Sequence, residues 1–465
     1  MNSAQDESLL RDTPVKKLFW KYTLPAITAM IVNGMYTVVD GFFIGHYIGA
    51  EGLAGINILW PLFGMAIGIG TMIGTAASSL FSIEKGKGDY EKARRYLANG
   101  FILVAVLSLA VTAFFYFFAR FFMELQVDNS PETVAHAMDY FNVVTFLAFF
   151  VLASNAMPQF VRNDDRPKLA TVLMIAGALL NVVGDYVFIK HFHRGMAGAA
   201  EATILSQIIV SIIGFAYFFS PKARLRLRVW DLKFSYKICR DILVLGVSSL
   251  MIFFYYGFIS AIYNFLFAKH GGAVCVAAYS AVNYVSYLYY MFAEGFTAGV
   301  QPIMSFNFGA VRYYNIRRTF WHTVRVLFIL YVGFMVVVYG FPERLAMLFT
   351  NGDASFEAET VRGLRLFLCT CFLEAFILLG IVYFQSTNKA KTASLVSGIN
   401  MTVQLPFLLA LPHYFGINGI WLCYPLANVP LSLVVFVLVV RDLRRITHDL
   451  IKKRNENRKA QSAAS

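Results

Sequence analysis

Charged residues are scarce in this sequence: Asp, Glu, Lys and Arg make up 14% of its 465 residues, whereas 58% of the residues are hydrophobic. A soluble domain is about one quarter charged and about half apolar. Because charged side chains keep a soluble surface hydrated, a chain with so few of them cannot cover itself with a polar shell. The composition therefore excludes an ordinary soluble protein and predicts a membrane protein.

Cysteine is also sparse: the five residues lie in or beside apolar runs and never at CxxC spacing. This pattern favours buried free thiols over a zinc site, a redox pair or a disulfide scaffold. The eight histidines are scattered, and no HxxxxD, DxD or metal-ligand spacing is present. A membrane-embedded acyl- or glycosyltransferase would need such a cluster, so we expect neither an enzyme nor a cofactor.

The N-terminus lacks the features of a secretory signal. Met1 to Lys17 is polar, with acidic and basic residues mixed, and has no basic region followed by a short apolar stretch and a cleavage site. We therefore expect no removable signal peptide, and the first apolar run is predicted to stay as a helix.

The sequence does contain long apolar runs. About 20 apolar residues in a helix cross a bilayer, and the runs of that length predict an all-α membrane protein with twelve transmembrane helices, helix 1 to helix 12. The runs lie approximately at 18–46, 53–83, 93–119, 134–162, 167–192, 196–219, 237–270, 273–308, 316–340, 359–388, 391–414 and 418–441.

The net charge of +13 follows from membrane topology. Twelve helices place both termini on one side, and 33 of the 40 Lys and Arg residues fall on that side, against 7 on the other. Basic residues are retained in the cytoplasm. We therefore predict a multi-pass protein with both termini cytoplasmic, and the basic charge needs no nucleic-acid partner.

An internal repeat divides the chain into two halves. It predicts two pseudo-symmetric six-helix bundles: an N-lobe at 1–220 with helices 1–6, a basic cytoplasmic linker at 221–236, and a C-lobe at 237–465 with helices 7–12 and a basic tail. We expect the linker to be solvated near acidic lipid rather than to form a binding patch. Repeat-built membrane proteins are typically transporters that alternate access to a central site. The pairs displaced by 223 residues are Gly49-Ala50 with Gly272-Ala273, Gly86 with Gly309, Arg94-Arg95 with Arg317-Arg318, and Arg166 and Lys168 with Lys389 and Lys391; Gly198 and Gln207 match Gly419 and Asn428 at 221.

Four acidic residues lie well inside predicted helices: Asp40, Asp185, Glu294 and Glu374. Ionisable side chains are costly in a bilayer and mark candidate functional sites. At a rise of about 1.5 Å per residue, Asp40, Asp185 and the hydroxyl of Thr203 reach a similar depth in the outer half of the N-lobe.

The residues Asp40, Asn181, Asp185 and Thr203 are therefore predicted to form a cation site. Asn181 lies one turn before Asp185 on the same helical face. Hard oxygen ligands suit sodium, whereas two close carboxylates in a low dielectric favour a proton held between them. A helix cap or a helix–helix hydrogen bond is the simpler alternative for each aspartate. We expect no metal here unless it is sodium bound by these four residues.

Taken together, these residues resemble the multidrug and toxic compound extrusion (MATE) transporters of the multidrug/oligosaccharidyl-lipid/polysaccharide flippase superfamily. The likeness covers the chain from Pro25 to about Arg441, and the N-lobe resembles the DinF-type branch. Its elements are the duplicated twelve-helix plan, the spacing of 15 from Pro25 to Asp40, Tyr36-xxx-Asp40, Asn155 before the 162–167 loop, Asn181-xxx-Asp185, and Thr203.

The resemblance implies a V-shaped pair of six-helix bundles that exports cationic, amphipathic drugs in exchange for protons or sodium. It implies that the four residues of the predicted cation site couple transport to the ion, and that Tyr36 and Asn155 extend their hydrogen-bond network. Helix 1 is expected to bend near Pro25, which serves as a hinge. Pro158 stands where some relatives have a second amide, which weakens any detailed prediction of the network's shape.

A substrate site is predicted in the C-lobe. Eight of the 25 tyrosines fall within residues 255–290, and desolvated aromatic faces attract organic cations by ~0.5–2 kcal/mol. Other branches of the resembled family use acidic residues in helices 8 and 10, so we assign substrate attraction to the two glutamates there, with a structural hydrogen bond as the alternative for each. The predicted substrate-binding residues are Glu294, Glu374, Tyr255, Tyr256, Tyr279 and Asn283.

These observations predict a monomeric, proton-coupled antiporter of small organic cations in a bacterial cytoplasmic (inner) membrane. Sodium coupling is the first alternative. A lipid-linked oligosaccharide flippase is the second; it would line its cavity with arginines for pyrophosphate, whereas nearly all basic residues here lie at predicted cytoplasmic ends. The sequence leaves open whether substrate binds in the N-lobe, in the C-lobe or between them.

Overall fold

The computed structural model describes residues 13–126, 131–350 and 353–464. Within these ranges every regular element is a helix and no strand is present. The first 12 residues of the predicted polar N-terminus lie outside the described residues. The all-α prediction is therefore confirmed over the part of the chain that the structure describes.

Helix ends are set by local sequence signals. Pro167 occupies the first turn of its helix, where the missing N–H costs nothing. Asp89 caps the helix that follows it by accepting a hydrogen bond from the Lys92 backbone N–H at 2.9 Å. The six spans of the first half are α1 Val15–Tyr47, α2 Ala50–Lys87, α3 Tyr90–Glu124, α4 Pro131–Thr145 with Ala148–Asn163, α5 Pro167–Asp185, and α6 Gly195–Phe219.

Two long stretches of the second half are each two helices. Tyr236–Gly309 is broken at Gly272 (φ 69°, ψ −163°), and Gln404–Ala464 is broken at Gly416 (φ 56°, ψ −134°). Both conformations are readily reached only by glycine. The spans of the second half are α7 (236–271), α8 (273–309), α9 Tyr313–Gly340, α10 Ala354–Phe367 with Cys371–Ser386, α11 Ala390–Thr402 continued at 404–415, and α12 (417–464), with a short helix at Pro342–Thr350.

The twelve-span prediction is confirmed once these breaks are counted. Nine helical stretches among the described residues are long and apolar enough to cross a membrane, and the two parts of α4, bent by 69°, form a tenth. Two of the nine, the stretches broken at Gly272 and Gly416, contain two spans each. The chain is a multi-pass membrane protein.

Backbone conformation supports the internal repeat independently of sequence identity. Left-handed residues recur at the same displacements as the sequence matches, so the same turns end the same helices in each half. The pairs, with φ between 55° and 101°, are Gly49 with Gly272, Gly88 with Val311 and Asp165 with Asn388 at 223, and Gly195 with Gly416 at 221.

The compact units of the chain do not divide at the predicted linker. One unit, the N-terminal unit, is Leu24–Phe254; the other, the C-terminal unit, joins the residues up to Thr23 with those from Tyr255 onward. The first turns of α1 pack in the C-terminal unit because Gly299 lets the backbone of Thr23 approach closely. The predicted boundaries at 220 and 237 follow hydropathy and the repeat, whereas these units follow packing, so the division into two lobes stays a prediction.

Candidate functional site

The N-terminal unit brings two carboxyl groups together. Asp185 is the last residue of α5 and is completely buried, and Asp40 on α1 is half-buried. The two side chains lie within direct electrostatic range of each other. Oδ1 of Asp40 and both carboxyl oxygens of Asp185 are shielded from solvent and have no hydrogen-bond donor. Buried acceptors without donors are rare in folded proteins and call for an explanation.

The backbone at Asp185 is irregular. α5 passes directly into a wider π-helical turn at Tyr186–His191. Such turns are uncommon and frequently occur at functional sites. Here the turn begins one residue after the buried carboxyl group, so it helps to set the direction of the chain that presents Asp185.

Neutral polar groups complete this cluster. The Asn181 side-chain amide donates to Thr203 Oγ1 at 3.2 Å, and the Tyr140 hydroxyl donates to the same oxygen at 3.2 Å. Asn181 Oδ1 is buried and unpaired. Tyr140 also lies within electrostatic range of Asp40 and Asp185. Sequence analysis missed Tyr140, because a single tyrosine on an otherwise ordinary face of α4 carries no signal.

The two residues predicted to extend the network differ in position. Tyr36 is half-buried on α1 and lies within electrostatic range of Asp40 and Asp185. Asn155 donates to the Val151 backbone carbonyl at 2.8 Å, and its Cβ lies against Gly70 of α2. The described contacts of Asn155 are thus with α4 and α2.

Pro25 lies inside α1, which remains helical through it. A proline in a helix interior removes one backbone hydrogen bond and permits a kink. The Pro25 carbonyl accepts a hydrogen bond from Thr171 Oγ1 of α5 at 2.7 Å. The contact ties the proposed hinge to the same helix that carries Asn181 and Asp185.

The C-terminal unit contains a cavity of about 460 Å³. That volume is within the range of drug-sized binding sites. Five of the six predicted substrate-binding residues line it; Glu294 is absent from its lining, which contains the neighbouring residue Ala293 instead. The polar and aromatic side chains that line the cavity are Tyr255, Tyr256, Ser260, Tyr263, Tyr279, Ser280, Asn283, Tyr284, Ser286, Tyr287, Tyr289, Tyr290, Phe367, Glu374, Gln404 and Tyr424.

Glu374 is the only acidic side chain among these lining residues. It is 7% exposed and accepts a hydrogen bond from the Asn400 amide at 3.3 Å, whereas its other oxygen is buried and unpaired. Glu294 lies within electrostatic range of Tyr290, one of the cavity tyrosines. The two predicted glutamates therefore occupy different environments, one facing the cavity and one outside its lining.

Gln404 organises the tyrosines at one wall of the cavity. It accepts a hydrogen bond from the Tyr263 hydroxyl at 2.9 Å and donates to the Tyr255 hydroxyl. At a displacement of 223, Tyr263 and Gln404 are the repeat counterparts of Asp40 and Asn181. The predicted cation site of the first half thus has an uncharged, aromatic counterpart in the second. Applying the repeat to the site residues would have identified Gln404 from the sequence.

No group of three or more His, Cys, Asp or Glu side chains that could hold a metal ion occurs in the described ranges. The five cysteines are free thiols, four of them buried.

The sequence model of the MatE family matches residues 25–187 and 248–409, one stretch in each half of the repeat. The chain belongs to the MatE family. This confirms the resemblance found from the residues; assignment to the DinF-type branch stays a prediction. The matched stretches include the N-terminal carboxyl pair and most of the cavity lining.

Curated relatives and solved structures match the chain over nearly its whole length. Multidrug export protein MepA of Staphylococcus aureus (strain N315) is 24% identical over 456 residues, covering 96% of this chain and 98% of that protein. MepA of Staphylococcus saprophyticus is 23% identical over 461 residues, with 96% and 98% coverage.

Solved structures show the fold. A MATE crystal structure in complex with MaL6 has a TM-score of 0.89 at 21% identity, covering 96% of this chain and 99% of that chain. A MOP superfamily transporter from Pyrococcus furiosus, described as having a binding pocket of reverse polarity, has a TM-score of 0.89 at 21% identity, with 96% and 100% coverage. These similarities agree with the predicted twelve-helix fold.

Proposed function

We propose that this MatE protein is a multidrug exporter that exchanges cationic, amphipathic compounds for protons. Relatives that this chain matches over 98% of their length are named multidrug export proteins. The observation that carries the proposal is the separation of two acidic sites: a carboxyl pair in the N-terminal unit and a tyrosine-lined cavity with one carboxylate in the C-terminal unit. Such a division allows the ion and the drug to be held by different residues.

Proton coupling is supported by the arrangement of Asp40 and Asp185. Two carboxylates that share a low-dielectric site repel each other, and one proton held between them removes the repulsion and gives their buried oxygens a hydrogen bond. Release of that proton restores the repulsion and favours movement of α1. Pro25 lies 15 residues earlier on the same helix, where a missing backbone hydrogen bond allows bending.

Sodium is the second candidate ion, because the same site offers oxygen ligands. Asp40 Oδ1, Asn181 Oδ1 and both oxygens of Asp185 are buried and have no donor, and Thr203 Oγ1 lies 3.2 Å from the Asn181 amide. Carboxylate and amide oxygens are suitable ligands for a hard cation. The two ions make different demands: a proton needs the two carboxyls, whereas sodium also needs the neutral oxygens.

The cavity of the C-terminal unit is proposed to bind the drug, with Glu374, Tyr255, Tyr256, Tyr279 and Asn283 among its contacts. A buried carboxylate supplies the charge, and the tyrosine faces supply cation–π attraction of ~0.5–2 kcal/mol each when desolvated. Its volume of about 460 Å³ suits a drug-sized compound. Because no Lys or Arg is among the described residues that line it, the cavity favours cations over the pyrophosphate of a lipid-linked oligosaccharide.

The proposed setting is a bacterial cytoplasmic membrane with both termini in the cytoplasm and the protein acting as a monomer. The distribution of 33 against 7 basic residues supports this orientation.

Ethidium export tests the function and is measured as accumulation of the dye inside everted vesicles, whose cytoplasmic face is turned outward. Vesicles that contain the full-length protein are energised either by a proton gradient or by a sodium gradient of matched size. We expect efflux with the proton gradient alone and its collapse when a protonophore is added. Drive by sodium alone would establish the second ion, and no efflux under either gradient, from a correctly inserted protein, would contradict drug export and favour a flippase.

A further inference from the structure

The segment between α6 and α7, residues 220–235, is held on the N-terminal unit by buried contacts at its start. The backbone N–H groups of Arg224 and Leu225 donate to the Asp164 carboxylate at 2.9 and 3.0 Å, and the Tyr217 hydroxyl donates to it at 2.7 Å. The Arg224 guanidinium pairs with the buried Asp165 at 2.7 Å. Burial raises the pKa of the Asp164 carboxyl, while the nearby Lys85 ammonium opposes that rise.

The end of the segment is held as firmly as its start. The side-chain amide of Asn99 on α3 donates to the Lys233 carbonyl at 3.1 Å, and its oxygen accepts from the Ser235 backbone N–H at 2.8 Å. Asn99 is fully buried. The segment is therefore held at both ends by buried contacts with the N-terminal unit, while its basic side chains Arg226, Arg228 and Lys233 stay exposed.

Side chains along the segment alternate between the protein and the outside. Ala223, Leu225 and Leu227 are buried, whereas Arg226 and Arg228 are exposed. Arg226 and Arg228 are thus directed away from the buried side of the segment, whereas the Arg224 guanidinium is paired with the buried Asp165.

Large apolar side chains follow directly and are also exposed. Trp230 is 67% exposed, Phe234 64% and Tyr236 74%. The Arg228 guanidinium lies over the Trp230 ring at 5.5 Å from its centroid. Trp230 and Phe234 lie within residues 220–235, which contain no spanning helix, so these two aromatics are not part of the ordinary lipid-facing surface of a span; Tyr236 is the first residue of α7.

We propose that the surface formed by Arg226, Arg228, Lys233, Trp230 and Phe234 binds an anionic phospholipid of the adjacent leaflet. Tryptophan and other aromatics prefer the headgroup level of a bilayer, and clusters of basic residues next to a spanning helix attract anionic headgroups. The segment is joined to α6 at one end and to α7 at the other, so it lies where a bilayer meets water.

The pairing of charge with apolar area favours a lipid over a soluble ligand. The guanidinium and ammonium groups match a phosphate, and the exposed rings match the acyl region beneath it. A soluble phosphate would satisfy the basic groups but leave the rings in water. Lipid binding at this surface requires only that the protein is embedded in a membrane and does not require drug export. The lipid-site proposal can therefore be refuted without refuting drug export, and the reverse also holds.

Thermal unfolding of the purified full chain in an uncharged detergent tests the site. The wild type is titrated with phosphatidylglycerol, phosphatidylcholine, inorganic phosphate or poly(U) RNA, and Tm is followed. We expect a saturable rise of Tm with phosphatidylglycerol alone, and a weaker apparent affinity at higher KCl because salt screens the charges. The double variant Arg226→Gln/Arg228→Gln should weaken the apparent affinity for phosphatidylglycerol by roughly fivefold per charge removed.

A matched pair of exposed arginines, Arg441 and Arg444 on α12, is the control. Their double Gln variant should keep the wild-type affinity for phosphatidylglycerol. Trp230→Ser with Phe234→Ser should weaken binding while leaving its salt dependence in place. Equal Tm shifts with phosphatidylglycerol and phosphatidylcholine, an equal loss in the α12 control, or the same shift with inorganic phosphate or RNA would each overturn the lipid site. The salt and lipid comparisons use the wild type, so they stand even if a variant does not fold.

Discussion

At the scale of single residues, the most unusual feature of this membrane protein is its buried acidic side chains with unpaired carboxyl oxygens. Asp185 is completely buried with neither carboxyl oxygen paired, and Glu374 has one unpaired oxygen at 7% exposure. Burying a charge without full pairing is expensive in any apolar surrounding. A fold does not retain such residues for stability alone, which is why each is assigned to a mobile ligand: an ion for the Asp40–Asp185 pair and a cationic drug for Glu374.

Glu374→Gln should weaken drug binding without disturbing the cavity. The amide keeps the shape and can still accept the hydrogen bond from Asn400, but it removes the charge that a cation would face. We expect KM for ethidium to rise roughly tenfold, a typical effect for losing a charged hydrogen-bond partner, with little change in the maximal rate. Glu294→Gln is the matched control because Glu294 is outside the cavity lining; an equal effect there would contradict the placement of substrate.

Tyr140→Phe tests a residue found only in the structure. Removing the hydroxyl deletes its hydrogen bond to Thr203 Oγ1, which should lower the free energy of unfolding by about 1 kcal/mol. Tm in detergent measures this loss, with Tyr116→Phe as the control because Tyr116 is 66% exposed. A Tm drop equal to that of the control would remove Tyr140 from the network.

At the scale of helices, small residues set how closely α2 approaches α4. A Cβ on Gly70 would lie 2.6 Å from the Leu152 carbonyl oxygen, and one on Gly74 would lie 2.9 Å from the Ala156 Cα. Membrane helices gain little from the hydrophobic effect among themselves, so close contact between small residues contributes much of their association. This packing holds the half of α4 that precedes the 162–167 loop.

Gly70→Ala should therefore destabilise the protein, whereas Gly64→Ala on the same helix should not. The first variant forces a methyl group into a backbone oxygen, at about 1–3 kcal/mol. The second meets nothing closer than 3.9 Å, from Trp60, and gains helix propensity of roughly 0.5–1 kcal/mol. Tm values in detergent compare the two; a lower Tm for Gly64→Ala than for Gly70→Ala would contradict the described packing.

Element positions could be predicted because hydropathy and glycine breaks are local signals. The sequence predicts all twelve spans and pairs Gly49 with Gly272, which share a positive φ in the structure. Contacts between helices are not local. Tyr140 therefore gave no signal, Gln404 is found only when the repeat displacement is applied to Asn181, and the cavity lining contains Ala293 rather than its neighbour Glu294.

Across the whole molecule, the two halves of the repeat share their backbone turns but differ in the side chains at the site positions. The left-handed residues recur at displacements of 223 and 221, yet the positions of Asp40, Asn181 and Thr203 are occupied in the second half by Tyr263, Gln404 and Tyr424. At these positions the first half thus has a carboxyl, an amide and a hydroxyl group, whereas the second half has two tyrosines and an amide that line the cavity beside Glu374. Duplication followed by this divergence would give the proposed ion site and the proposed drug site within one chain.

Topology is a property of the whole molecule and can be measured directly. Alkaline phosphatase fused after residue 192, between α5 and α6, should be active, because that turn is predicted to face the periplasm. The same enzyme fused after residue 230 should be inactive, and green fluorescent protein fused to the C-terminus should fluoresce. The opposite pattern would contradict the orientation inferred from the 33 to 7 distribution of basic residues.

We propose that the Asp40–Asp185 pair couples a proton to drug movement while the drug binds in the cavity of the C-terminal unit. The most direct measurement compares wild type and Asp40→Asn in proteoliposomes, recording ethidium binding and ethidium efflux driven by a pH gradient in the same preparation. We expect Asp40→Asn to bind ethidium with wild-type affinity and to lose gradient-driven efflux, whereas Asp139→Asn, at an exposed position on α4, should keep both. Gradient-driven efflux retained by Asp40→Asn would contradict the proposal.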